Sequence, residues 1–291
     1  MGNILNAQAP NEVITFLTEA DKAMFKKWRG PSFEVQVGIH ELLGHGSGKL
    51  LEQDKDGHFN FDQAHPPIHP ETGKPVGTWY KSGETYSSKF GAIASSYEEC
   101  RAECCGIYLS TDPGVLKIFG HADSQEANDV MYTNWLSMAR AGLLALEFYN
   151  ASSKTWGQAH MRARFAILRV MLEAGNGFVN IEQHLDQHEA IIHVDRQKIN
   201  SVGKKAVGDF LQRLQVYKAT ADFAAASAMY DKYTTVPDDW LPLRDLVIEK
   251  RQPRKIFVQP NTSVDAKGAV TMKEYDATPA GMIQSFVERQ V

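Results

Sequence analysis

Cysteine is scarce and poorly placed for cross-linking: in 291 residues only Cys100, Cys104 and Cys105 carry a thiol. An odd, local set builds no disulfide framework, so a reducing, cytoplasmic setting is expected. Long apolar runs are missing too. The stretch from Leu143 to Tyr149 is short and broken by Glu147, far from the ~18 apolar residues of a membrane-spanning helix, so no membrane partner is expected. Neither sign of charge is in excess. With 31 basic and 35 acidic residues the formal net charge is -4, which removes the electrostatic reason to expect nucleic acid or an anionic membrane. The N-terminus has neither the basic nor the apolar region of a secretory leader. Internal repeats and low-complexity tracts are also absent. What remains, 43% hydrophobic and 23% charged, is an ordinary globular composition with length enough for a sizeable core.

The apolar pattern is mainly helical. A helix is expected from Glu12 to Trp28, ended by Gly30-Pro31, and a second one capped by Ser32 with Val35, Ile39, Leu42 and Leu43 at helical spacing. Gly, Pro, Asp and His between Leu50 and Glu84 predict a long irregular loop. Further helices are expected from Ser95 or Ser96 towards Tyr108, then over roughly Ala127 to Tyr149, Trp156 to Ala174 and Lys204 to Lys218. Only Lys255 to Gln259 reads as a strand. Thr278-Pro279 starts a last helix, whose stripe of Met282, Ile283, Phe286 and Val287 is unfinished at Val291. The chain is therefore expected to be a fragment of something larger.

The stretch His40-Glu41-Leu42-Leu43-Gly44-His45 carries the first chemical signal. Zinc peptidases commonly place two histidines at i and i+4 with a glutamate general base between them. Here the second histidine falls at i+5, which a regular helix at ~100° per residue would turn ~140° away from the first. Both imidazoles reach one metal only if the turn widens, as a π-bulge does. Gly44, with no Cβ, makes such a distortion cheap.

A second cluster follows at Glu98-Glu99-Cys100-Arg101-Ala102-Glu103. Glu99 and Glu103 are i, i+4 and share a helix face, where two carboxylates repel unless a cation or proton donor lies between them. A zinc ion would supply the cation, and a histidine N–H the donor. The competing reading makes Ser96 and Glu99 a helix capping box, which leaves Glu103 without a purpose.

Together the two motifs resemble the dipeptidyl peptidase III family. The likeness extends through Gly46-Ser47-Gly48-Lys49, Ser82-Gly83-Glu84-Thr85, Arg140-Ala141-Gly142-Leu143-Leu144 and Val258-Gln259-Pro260-Asn261. The resemblance implies one zinc ion per chain bound by His40, His45 and Glu99, with Glu41 as general base and Glu103 orienting a ligand histidine. It makes His160 a substrate and transition-state contact, and Arg254 and Lys255 substrate-binding residues. The implied activity is release of dipeptides from the N-terminus of short oligopeptides. The implied fold is the mainly α, zinc-binding lobe of a two-lobed metallopeptidase over residues 1–250. Residues 251–291 would form a short β or irregular segment that packs against a second, β-rich lobe absent from this chain. Apolar surface left by that lobe could drive self-association.

Two rival readings remain to be weighed. Gly44 to Lys49 resembles a phosphate-binding loop only loosely: three residues separate its relevant glycines, Leu50 follows the lysine, and a helix precedes it. The other is a non-catalytic zinc-binding or interaction module derived from a truncated peptidase. His184, His188 and His193 have no evident fourth ligand and read as a solvated connection.

Overall fold

The protein is described by a computed structural model covering residues 13–252 and 257–289. The chain divides into two compact units, Met1–Lys250 and Arg251–Val291.

The first unit is mainly α. Helix α1 spans Glu19–Ile39 and is started by Thr18, whose hydroxyl accepts from the Asp21 N–H at 3.1 Å. Glu19 and Asp21 place negative charge at its positive end. The expected beginning at Glu12 lies outside the described residues. Residues 13–17 are not helical, because Ile14, Phe16 and Leu17 are buried in the core and Phe16 O accepts from Ile192 N at 3.0 Å. Nor does Gly30-Pro31 end the helix. Pro31 sits inside α1, and Ser32 donates to Arg29 O at 3.2 Å instead of capping a new helix. Two expected helices are one, because the buried face carrying Val35, Gln36 and Ile39 gains more from packing than a single lost backbone bond costs.

A π turn over His40–His45 continues α1 directly. The irregular loop expected after Leu50 is observed, anchored by Tyr80, whose hydroxyl donates to Lys218 O at 2.8 Å. Short helix α2 (Tyr86–Phe90) precedes α3 (Ala94–Leu109). Helix α3 has no side-chain cap; Ser96 donates back to Ile93 O, so the capping box with Glu99 does not form. Residues buried on every side of α3 include Cys100, Cys104 and Cys105, all free thiols, and also Arg101 and Glu103. A helix buried all round is a central one, and its charged residues then need partners.

Those partners come from the helices around it. Asp112 caps α4 (Pro113–Ile118) and Asp123 caps α5 (Ser124–Leu144). Strands β1 (Tyr149–Asn150) and β2 (Thr155–Trp156) lead into α6 (Ala159–Glu173), capped by Gln158. Helices α7 (Lys204–Ala219), α8 (Phe223–Thr234) and α9 (Leu241–Glu249) complete the unit. The core between them is built on Tyr97, Trp135, Phe165 and Phe210, each with no exposed surface. Between α6 and α7 lies a hairpin, β3 (Val179–His184) with β4 (Glu189–Val194), where a solvated connection was expected. Ala190, Ile192 and Val194 of β4 alternate inward, the period-2 signal of a half-buried strand.

The second unit holds a hairpin, β5 (Asn261–Val264) with β6 (Val270–Lys273), and helix α10 (Pro279–Arg289). Of the expected strand, Lys255 and Ile256 lie outside the described residues, and Phe257 to Gln259 are irregular. The pairing moves downstream because Asp265 and Gly268 form the turn that closes it, with Asp265 N donating to Ala269 O at 2.9 Å and Gly268 at φ +82.

Candidate metal centre

Three elements meet at one point. The π turn brings His40 and His45, five residues apart, to the same side, with ring centroids 4.7 Å apart and planes at 86°. Glu99 arrives from α3, its Oε2 lying 3.2 Å from His40 Nε2 and 3.5 Å from His45 Nε2. His160 comes from the first turn of α6, with Nδ1 at 3.3 Å from the same oxygen.

Gly44 is needed here for a reason beyond ease of distortion. A Cβ on it would lie 2.8 Å from both Cα and Cβ of Ala102, so the bare backbone is what lets the π turn lie against α3. Close approach of these two elements sets the distance between Glu99 and the imidazoles.

The Glu99 oxygen is buried and makes no hydrogen bond despite three nitrogens around it, and His160 Nδ1 is equally unsatisfied. A buried carboxylate oxygen left without a hydrogen bond is costly, even with the His40 imidazole beside it. A cation at the centre removes the cost. Ligand atoms of His40, His45 and Glu99 all lie within 4.8 Å of one another. Two ligands at ~2.0–2.1 Å from a tetrahedral ion sit about 3.3 Å apart, close to the 3.2 and 3.5 Å separations found. Two imidazoles and one carboxylate thus fit a metal ion and leave a position open.

The electrostatics also favour a cation. Burial would lower the pKa of His40, but Glu103 and Glu99 outweigh it and raise it to about 9. Glu103 itself is 2% exposed and faces His40 Nδ1 at 3.6 Å. Burial alone would raise its pKa, yet the Arg164 guanidinium, His40 and Gln36 hold it down at about 2. Arg164 Nε donates to Glu103 Oε1 at 2.7 Å, and Gln36 Nε2 to Oε2 at 2.8 Å. Asn134 fixes Gln36 in turn, donating to its Oε1 at 3.0 Å. Three helices, α1, α5 and α6, therefore hold one carboxylate of α3 against His40.

Glu41 is exposed on the π turn beside His40, and Leu42 and Leu43 are exposed next to it. Arg254 and Lys255 lie outside the described residues. The histidines of the β3–β4 hairpin do not gather: His184 and His193 pair with Glu182 at 2.7 and 2.8 Å, and His188 with Glu249 at 2.9 Å. A cleft of about 820 Å³, lined by Ser47, Arg101, Cys105, Lys204 and Gln215 among others, does not include the three candidate ligands. Sequence reasoning missed Arg164 and Gln36. Arg164 stands at i+4 from His160, on the same helix face, and that spacing was the available signal.

The model of peptidase family M49 matches residues 1–290. The chain belongs to peptidase family M49. It is 52% identical over 298 residues to "Dipeptidyl peptidase 3" of Rattus norvegicus, covering 99% of this chain and 40% of that protein. Identity to the Homo sapiens protein of the same name is 53% over 298 residues, with the same coverage. For Dictyostelium discoideum it is 46% over 296 residues, covering 42% of the relative. The chain thus spans about two fifths of the length of these M49 relatives. Its fold is shared with DPP III from Caldithrix abyssi, at a TM-score of 0.50 and 18% identity over 81% of this chain and 35% of that one. It is shared likewise with dipeptidyl-peptidase III from Corallococcus sp. strain EGB, at 0.51 and 19% over 80% and 33%.

Proposed function

We propose that this M49 chain is the zinc-binding catalytic lobe of a dipeptidyl peptidase that removes dipeptides from the N-terminus of short oligopeptides. The observation that carries the reading is the unsatisfied Glu99 oxygen facing His40 Nε2 and His45 Nε2. His40, His45 and Glu99 would hold one zinc ion. When bound, zinc lowers the pKa of a water towards ~7 and polarises the scissile carbonyl.

The chain's own residues do the rest. Glu41 accepts the proton of the attacking water and passes it to the leaving amine. Glu103 holds the Nδ1 side of His40, so that Nε2 offers its lone pair. His160 is proposed to hold the peptide, or the oxygen on which charge develops, beside the site. Arg254 and Lys255 are assigned to substrate binding on the family resemblance alone. The peptide N-terminus is gripped, in this reading, by groups outside this chain. A cytoplasmic location is proposed from the three free thiols. Among the described residues no helix is long and apolar enough to cross a membrane.

The test is zinc content by elemental analysis together with dipeptide release from a dipeptidyl-naphthylamide. One zinc per chain with turnover supports a self-sufficient peptidase. One zinc without turnover supports a lobe that lacks its substrate clamp, and no zinc overturns the ligand assignment.

A further inference from the structure

The two histidines are supported in different ways. His40 is backed by Glu103, but His45 turns its Nδ1 to Glu98 Oε1 at 3.1 Å. With the proton on Nδ1, donated to that carboxylate, Nε2 is the atom left facing Glu99. Glu98 is therefore in a position to set the orientation of the His45 ring.

What sets Glu98? Its Oε1 also accepts from Arg101 Nη2 at 2.6 Å, and its Oε2 from Arg101 Nε at 3.0 Å and Lys218 Nζ at 2.6 Å. Arg101, with no exposed side-chain surface, reaches the π turn as well. Its Nη2 donates to Gly44 O at 2.6 Å, and its Nη1 to Ser47 Oγ at 3.3 Å and Gln215 Oε1 at 3.1 Å. The second half of the histidine motif is thus held through Glu98 and Arg101, and both are tied to α7 by Gln215 and Lys218. Those two are one turn apart and share a face.

Lys218 is unusual in its own right. It is 9% exposed, and its ammonium lies 4.8 Å from the centre of the Tyr86 ring. Burying an ammonium beside a carboxylate is a poor way to gain stability, since desolvation cancels most of the attraction. Arg101 already neutralises Glu98. A second buried cation adds chiefly geometry: it fixes the Oε2 end, so that the carboxylate cannot rotate away from His45.

We propose that Lys218, supported by Gln215, is a positioning residue for the metal: it acts through Glu98 to hold the His45 imidazole in its ligating orientation. The inference rests on the reading of His45 as a ligand. It extends the site to a helix more than a hundred positions downstream of both motifs.

The experiment compares the wild-type chain with Lys218→Met, Lys218→Arg and Gln215→Leu. Zinc dissociation constants are measured by competition with a chelator, and the visible spectrum is recorded after cobalt(II) substitution. Loss of an outer support of this kind typically weakens metal binding about 10- to 100-fold. Lys218→Met should show that loss and an altered cobalt band at temperatures where it is fully folded. Lys218→Arg should recover most of the affinity, and Gln215→Leu should lose less. A Lys218→Met protein with a lowered melting temperature but wild-type zinc affinity and cobalt spectrum would make the lysine merely structural and overturn the inference. Wild-type protein that binds no zinc would overturn the ligand reading itself, and this inference with it.

Discussion

Metal affinity should climb steeply with pH across the neutral range, because His40 must lose a proton to become a ligand. In the metal-free site His40 stands between Glu103 and Glu99, and its pKa rises from 6.5 to about 9. A metal at Nε2 expels that proton. Each pH unit below the pKa then weakens binding about tenfold, so affinity should gain roughly 100-fold between about pH 7 and pH 9 and level off above. An imidazole left at 6.5 would give a nearly flat profile over the same window.

The same proton affects the metal-free fold. Its folded-state pKa lies above the unfolded one, so its contribution is complete below pH 6.5 and disappears as pH passes about 9. That gap corresponds to about 3 kcal/mol. Chelator competition at several pH values gives the affinity profile, and thermal melts of metal-free protein give the stability. Affinity independent of pH above neutrality, or a metal-free melting temperature that does not fall, would refute the argument.

Other variants test other parts of the site. Gly44→Ala forces a methyl to 2.8 Å from Ala102, so it should cost about 1–3 kcal/mol in urea unfolding and weaken zinc by pushing the π turn away from α3. Arg164→Met strands the buried Glu103 carboxylate and should destabilise the fold by about 3 kcal/mol, measured by denaturation of the metal-free protein. Any peptidase activity should fall about 10²- to 10⁴-fold in Glu41→Gln while elemental analysis still finds zinc. Retained turnover would remove Glu41 as the base.

The site was legible in the sequence where chemistry depends on short spacing. The i+5 histidine pair required a widened turn, and a π turn is present. Glu99 and Glu103 on one helix face required a cation or proton donor between them, and His40 faces both. What could not be read was support that arrives from far along the chain. Gln36, Gln215 and Lys218 are ordinary helix residues until folding brings them to Glu103, Arg101 and Glu98, and Arg164 left only its i+4 spacing from His160 as a signal.

The fold followed a similar division. Long helices with clear stripes were evident, whereas Gly30-Pro31 misled because local chain breaking was outweighed by burial of Val35 and Ile39. The β3–β4 hairpin was masked by its own histidines and acids. Those occupy the outward positions, while the inward alternation runs through only a few apolar residues.

Cys100, Cys104 and Cys105 ride on the helix that also presents Glu99 and Glu103. The first two have no exposed surface and the third 8%, and burial pushes the Cys105 thiol up to about 11. Near neutral pH that sulfur is almost entirely unreactive thiol. Cys105 borders the cleft beside Arg101, but at Cys100 and Cys104 a maleimide must wait for α3 to come loose, so their labelling rate counts openings of the helix. Saturating metal should slow labelling by the same factor by which it suppresses that opening. The chain carries its own stopwatch, wound into the helix that presents Glu99.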